Sequence, residues 1–402
     1  MRGLRAVIIA GVIAAPAAAD PAAFRLREEA GPHARVASPV TLVTALPARL
    51  SHAAALAATL EDDSGRPTAI AVDAFASDGL LELYWVEPTL AAGSSTVRRV
   101  IVSAAETPQP PNPTGFRFVA GQTWRELTFA DQPVWRRMYA YDPARHEATY
   151  KPYLHLYGFH DEGFITKADG GLYTSQRGVS VGWMQVKTDA KAYDFWHGNG
   201  VSQRQTGFDA RKERTGTVVG RDCAITEWSV ADRPPIVRDT RDFTAWHTRN
   251  GELVIDMTLT IEALKGPVSL ATDPLHGSLV FRASGDVQSH AAETLVWHSA
   301  GGRALPNDVW SQAQWACVVI RPKEVTYALT AMGREGSPAG TVFATRDFGK
   351  LSVCFNATIK PGTPLTVSYR WLLQDLSVLP QKPADIELRY QDFANPVTVT
   401  FE

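Results

Sequence analysis

The chain has 402 residues, with 42 acidic and 40 basic side chains and a net charge of −2. That balance excludes a protein that holds nucleic acid by neutralising phosphate, because such binding needs clustered Lys and Arg. Without its first segment the chain keeps about 380 residues, long for one core and enough for two or so domains.

The chain begins with Arg2 and Arg5, an apolar run from Ala6 to Ala15, and then Pro16-Ala17-Ala18-Ala19. A charged start, a short greasy core and small residues at the end make residues 1–19 a signal peptide, with Asp20 the first mature residue. The greasy core is too short to span a bilayer, and no later stretch reaches the ~20 apolar residues of a membrane helix. The mature protein is therefore expected to be soluble, in a periplasm or outside the cell, with no membrane insertion after cleavage.

The next segments read as strands. Ser51 to Leu60 is Ala-rich and alternates Leu56, Ala58 and Leu60, and Leu81, Leu83 and Trp85 alternate with Glu82 and Tyr84. Period two is the signature of a half-buried strand. Residues 20–106 are thus expected to form a small N-terminal β domain. Residues 107–113, with prolines at 108, 110, 111 and 113, cannot join a central strand or continue a helix and read as a linker.

Residues 114–402 are expected to form a large β domain. Leu253, Ile255, Met257, Leu259 and Ile261 share one face opposite Asp256, Thr258 and Thr260, and Leu365, Val367, Tyr369 and Trp371 do the same against Thr366, Ser368 and Arg370. With 26 prolines, 30 glycines and little helical periodicity, the fold class is all-β, an antiparallel β-sandwich that extends to a large supersandwich. The phosphate-loop and dinucleotide glycine motifs are absent.

Between positions 151 and 197, polar donors alternate with aromatic rings: Lys151, His155, Tyr157, Arg177, Trp183, Asp194, Trp196 and His197. This mixture suits a sugar, whose hydroxyls take directional hydrogen bonds while its C–H face packs on an aromatic ring. The alternative is that the aromatics belong to the core and the histidines cap loops. Farther on, Asp273-Pro274 marks a turn, and the strand after it can bring His276 and Arg282 toward a common pocket. Such a pair can polarise a carbonyl or hold a carboxylate. No serine-hydrolase elbow is present, and the carboxylates Asp194, Glu227, Asp256 and Asp273 are too scattered to assign as a glycosidase pair.

No cofactor is predicted. There is no compact metal motif, so a divalent metal would require His155, His160, His197 and His276 to meet through tertiary folding. Of the three cysteines, Cys317 and Cys354 are the preferred disulfide pair for an exported chain, three buried thiols being the alternative.

These segments resemble the PmoA-like family of exported bacterial proteins, a domain of unknown function whose name borrows from methane oxygenase. The matching pieces are Lys151-Pro152-Tyr153-Leu154-His155, Arg177-Gly178 with Gly182-Trp183, Asp194-Phe195-Trp196-His197, Asp273-Pro274-Leu275-His276-Gly277 with Phe281-Arg282-Ala283, and Arg346-Asp347-Phe348-Gly349. The resemblance implies a β-rich fold and an association with bacteria that degrade complex glycans; methane oxidation is not implied, because that enzyme is built of transmembrane helices. Two positions depart from the family pattern. Ser175-Gln176 stand where members commonly carry adjacent histidines, and Phe348-Gly349-Lys350-Leu351 stand for a more basic and aromatic Tyr-Gly-Arg-Phe.

The resulting expectation is an exported carbohydrate-active protein that binds a saccharide or glycan in a cleft of the large β domain, as a hydrolase, lyase or isomerase. His155, Arg177, His197, His276 and Arg282 are the expected catalytic residues, and Lys151, Tyr157, Trp183, Asp194 and Trp196 the expected substrate contacts. The alternatives are a non-catalytic module that binds glycan or protein, and a metal-dependent enzyme acting on an oxidised sugar. Edman sequencing of the exported protein should begin at Asp20; recovery of an intact Met1 start from the extracytoplasmic fraction would refute the leader.

Overall fold

A computed structural model describes residues 20–105, 114–188, 191–231, 233–379 and 382–402. The expected leader at 1–19 and linker at 107–113 lie outside the described residues.

Alternation dictates the architecture. Two large antiparallel sheets enclose one core. The first runs in the order Val309–Trp310, Val342–Arg346, Lys350–Cys354, Leu279–Arg282, Val179–Val181, Tyr153–Leu156, Gln132–Met138, Trp124–Phe129, Phe116–Ala120. The second is built on the long strands Val219–Val230, Val237–Arg249, Glu252–Ala263 and Leu365–Asp375, with Val201–Phe208 on one side and Tyr327–Gly333 and Trp315–Ile320 on the other. Leu253, Ile255, Met257, Leu259 and Ile261 meet Leu154, Val179, Phe281 and Leu351 of the facing sheet in that core. A smaller sheet of Lys191–Tyr193, Gln185–Thr188, Val268–Ala271 and Ala357–Ile359 adds Val186 and Leu270. The all-β sandwich is the observed fold.

The outward faces of the two large sheets differ. On the second sheet Trp246, Val254, Trp315, Cys317 and Leu372 face outward and are covered by Tyr84 and by the helix Pro383–Ala394 through Ile386, Tyr390 and Phe393. The outward face of the first sheet carries the candidate site.

The N-terminal segment forms two sheets. Arg35–Ala45, Leu80–Leu90 and Val72–Ser77 make one, and Ala55–Asp62, Ser95–Ala105 and Ala22–Glu29 make the other. Their core contains Leu26, Leu60, Leu81, Leu83, Trp85 and Val100. The Ser51 to Leu60 stretch contributes a strand that begins only at Ala55, after a 3-10 turn at Ala48–Leu50. The edge of the second of these sheets is supplied by the far end of the chain: Thr398–Phe401 pairs with Ala22–Glu29, with Leu26 opposite Phe401.

The cysteines correct one expectation. All three are free and buried. Cys317 lies in the outward cluster of the second sheet, whereas Cys354 follows Val353 on the outward face of the first. Two packed sheets stand ~10 Å apart, so thiols on their opposite outer faces cannot reach the ~2 Å sulfur separation of a disulfide.

Polar pairs join the N-terminal part to the sandwich beside the apolar contact of Tyr84. The Asp73 carboxylate accepts from the backbone N–H groups of Thr217, Val218 and Val219 at 2.8, 2.7 and 2.9 Å and from the Thr217 hydroxyl at 2.9 Å. Gly216 permits this approach, since a Cβ there would lie 2.1 Å from Asp73 Oδ2. Glu82 receives Arg214 at 2.9 and 3.0 Å. Hydrogen bonds to a charged acceptor contribute about 1.5–3 kcal/mol each, and orphaned buried donors add to the loss. Asp73→Ala should therefore lower stability by about 3 kcal/mol or more in urea unfolding of the whole chain, and Asp73→Asn by less. Equal midpoints for wild type and Asp73→Ala would show that this clamp does not hold the junction.

Candidate functional site

The strands of the first sheet bury Leu154 and Leu156, Val179 and Val181, Leu279 and Phe281, and Leu351 and Val353 in the core. Period two then turns Tyr153 and His155, Ser180, Val280 and Arg282, and Lys350, Ser352 and Cys354 to the other face. Pairing sets Ser180 opposite Val280, Val280 opposite Ser352, and Arg282 opposite Lys350. Three main-chain bonds add Lys167 and Arg177 to this group. Lys167 N–H donates to Arg282 O at 3.0 Å, Arg282 N–H to Gly178 O at 2.9 Å, and Gly178 N–H to Lys167 O at 3.0 Å. Gly178 has φ +36°, and a Cβ would fall 2.2 Å from Leu154 O, so only glycine holds Arg177 at this place.

The result is a group of five buried cations: Lys151, Lys167, Arg177, Arg282 and Lys350. Each donates to main-chain carbonyls. Arg177 bonds Thr174 O at 2.8 Å and Ala148 O at 2.6 Å and also reaches Glu147 O, tying down the short helix His146–Thr149. Lys167 Nζ bonds Gly170 O at 2.5 Å, Lys151 Nζ bonds Trp196 O at 3.3 Å, Lys350 Nζ reaches Leu275 O and Arg282 reaches Phe348 O. Among the described residues, none of the five has a carboxylate within ion-pair distance. Elsewhere in the molecule buried arginines are paired: Arg35 with Asp392, Arg137 with Asp222, Arg214 with Glu82, Arg241 with Asp239, Arg370 with Asp256 and Arg389 with Glu252. The exceptions share one place.

The electrostatics follow. Burial, then Arg177, Arg241 and Lys350, drive the Lys151 ammonium well below its ordinary value. Burial, then Arg282 and Arg177, take Lys167 down to about 8, and burial with Arg346 and Arg282 takes Lys350 to about 8 against the opposite pull of Cys354 and Asp273. Burial lowers Arg282 to about 10. Two like unit charges ~6 Å apart repel by about 3 kcal/mol at an effective dielectric of ~20, so the group stores repulsion that an anion would relieve.

A pair of histidines rims the cluster. His197 Nδ1 lies 2.7 Å from Asp194 Oδ2, and His276 Nδ1 lies 2.8 Å from Asp273 Oδ1. The ring centres are 5.3 Å apart. Both carboxylates are also turn acceptors: Asp194 takes the N–H groups of Trp196 and His197, and Asp273 those of Leu275 and His276. Burial opposes ionisation of Asp273, but the His276 contact and these N–H bonds hold it below the ordinary carboxylate value. Because each carboxylate can only accept, Nδ1 donates and Nε2 keeps the lone pair in the neutral ring. The Trp196 indole sits between, with His276 edge-on at 6.1 Å and the Lys151 ammonium 4.4 Å from its ring.

The structure thus gathers seven of the ten expected residues: Lys151, Arg177, Asp194, Trp196, His197, His276 and Arg282. Three lie apart. Trp183 is a core residue, packed on Trp228 and Phe355 and donating to Phe355 O at 3.0 Å. Trp196 joins the cluster but is fully buried, so neither indole offers the open stacking face expected of it. His155 is buried beneath Phe164 with its ring centre 4.0 Å away, Nδ1 meets Thr166 Oγ1 at 2.9 Å, and burial with Arg136 lowers it to about 4, which keeps it neutral. Tyr157 donates to Glu126 at 2.5 Å and lines a different cavity of about 530 Å³ between the edges of the two large sheets. Most of the charged groups there satisfy one another, His160 with Asp375 at 2.8 Å and Glu252 with Arg249 at 2.8 Å. Self-paired groups leave little for a polar ligand to bind.

Sequence reasoning gave no site role to Lys167, Lys350, Tyr173 or Phe348, although Phe348 and Lys350 stand in the segment that departs from the family pattern. The segment between Lys167 and Gln176 brings the exposed Tyr173 ring 5.5 Å from Phe348, on which the Arg282 guanidinium lies at 4.3 Å. Among the described residues no three His, Cys, Asp or Glu side chains converge to hold a metal ion, and no helix is long and apolar enough to cross a membrane.

Because the folded value of Lys350 lies below its unfolded one, the cost of its charge is fully present below pH 8 and is relieved as pH rises toward 10.5. Lys350→Met should remove that dependence. The stability difference between variant and wild type should then change by about 3 kcal/mol between pH 7 and 10.5 in favour of wild type. A pH-independent difference would mean that Lys350 carries no buried charge.

Residues 125–385, more than half of the chain and including every member of the cluster, match a family of unknown function, DUF6807. None of the curated proteins matches the chain.

Proposed function

The chain belongs to the DUF6807 family, and we propose that it is an exported carbohydrate-active protein that binds a saccharide on the outward face of its first large sheet. The observation that carries this reading is the meeting of two aspartate-held imidazoles, His197 and His276, with ring centres 5.3 Å apart above buried cations. Each ring keeps Nε2 as an acceptor for a sugar hydroxyl, and the same nitrogen is the group a general base needs. The nearby Lys and Arg donors would then stabilise negative charge that develops on the sugar. Tyr173 and Phe348 supply the apolar surface, in place of the buried Trp196. The leader at 1–19 supports export, and the likeness to the PmoA-like family supports an association with glycan breakdown.

A binding module without turnover is the second reading, and Ser175 and Gln176 favour it. Both are buried beside Arg177, where that family pattern has imidazoles, and neither can exchange a proton near neutral pH.

His197→Ala and His276→Ala, tested separately on a glycan array and by calorimetry with the best ligand, should each weaken binding about tenfold or more while leaving the melting temperature within about 2 °C. Unchanged affinity in both variants would refute the site. Chromatography of the same glycan after incubation separates an enzyme, which yields product, from a module that returns it intact.

A further inference from the structure

We propose that the five buried cations form an anion site, and that the saccharide bound there is acidic, with a carboxylate or sulfate group seated between Arg282 and Lys350. This rests on the saccharide reading above and names its substrate class.

The argument begins with an inconsistency inside one molecule. This chain pairs its buried arginines with carboxylates at 2.5 to 3.3 Å wherever they serve the fold. Arg177, Arg282, Lys151, Lys167 and Lys350 are buried as deeply and lack such partners among the described residues. Charged groups are almost never fully buried unless they are paired. Evolutionary drift could leave one such side chain, but five, with Arg282 and Lys350 on paired strands and Lys151, Lys167 and Arg177 in the segments beside them, imply a counter-charge that arrives from outside.

A second, independent feature points the same way. Several buried polar atoms at this place have no hydrogen-bond partner: Arg282 Nε, Ser180 Oγ, Ser352 Oγ and Trp196 Nε1. Ser180 and Ser352 flank Val280 in register on the face that carries Arg282 and Lys350. Unpartnered buried atoms occur elsewhere in the molecule too, but here they lie beside uncompensated cations, where a ligand's oxygens would satisfy both. Guanidinium and ammonium together suit a planar carboxylate or a sulfate, because Arg offers a fork of donors and Lys a compact charge. The aspartates of the rim, Asp194 and Asp273, bond His197, His276 and turn N–H groups and act on Lys151 and Lys350 only from beyond ion-pair distance, where burial outweighs them.

The test uses the mature full-length protein and calorimetry with trisaccharides of galacturonate, glucuronate and mannuronate, their methyl esters, a sulfated disaccharide, and inorganic sulfate alone. At least one acidic sugar should bind about thirtyfold or more tightly than its neutral ester, and its affinity should fall with added salt while that of the ester does not. Arg282→Met and Lys350→Met should abolish the preference for acid over ester, and Arg282→Lys should retain part of it; circular dichroism and melting establish that each variant is folded. If acid and ester bind equally, and His276→Ala weakens both, the saccharide reading stands and the anion site is wrong. If inorganic sulfate binds through Arg282 and Lys350 but no sugar does, the anion site stands and the acidic-saccharide assignment is overturned. Failure of every probe overturns both.

Discussion

The structure depends on the core between two large antiparallel sheets. Strands that bury one face there must turn every second residue the other way, and what those second residues are decides what each sheet can do. On the sheet built around Glu252–Ala263 the apolar ones, among them Trp246, Val254 and Leu372, are covered by a helix and the N-terminal segment, and the charged Asp256 is paired with Arg370. On the sheet containing Tyr153–Leu156 and Leu279–Arg282 they include Tyr153, His155, Ser180, Arg282 and Lys350. One architecture therefore has a structural outer face and a chemical one.

Covering the structural face requires polar pairing. Asp73, Glu82, Glu252 and Asp392 meet backbone donors or arginines from distant segments, and these contacts join residues 22–105 to the sandwich. The last strand, Thr398–Phe401, closes the arrangement by pairing with the first. Against the paired arginines of this junction, the cations of the other face stand out for having no carboxylate partner among the described residues. Burial and mutual repulsion lower Lys151, Lys167 and Lys350 together, so an arriving anion would restore their charge and relieve the repulsion in one event.

The histidine rim shows how local and distant structure combine. Asp194 with His197 and Asp273 with His276 are each three residues apart, and each pair is made by one turn in which the carboxylate also accepts backbone N–H groups. Such a turn forms from nearby residues alone. That the two turns then place their rings 5.3 Å apart depends on strands separated by some eighty positions of chain coming into register.

The sequence by itself determined the all-β class, because alternation over Leu253 to Ile261 and Leu365 to Trp371 reports burial on one face and needs no knowledge of the partner strand. It also determined which segments carry polar and aromatic side chains together, and the Asp–Pro turn that holds His276. Only the tertiary structure decided that Trp183 and Trp196 lie inside rather than on a surface, that Cys317 and Cys354 point away from each other on opposite sheets, and that Lys167 and Lys350 join Arg177 and Arg282. The reason is physical: periodicity states that a residue faces one way or the other, whereas burial and charge compensation depend on what long-range pairing brings against it.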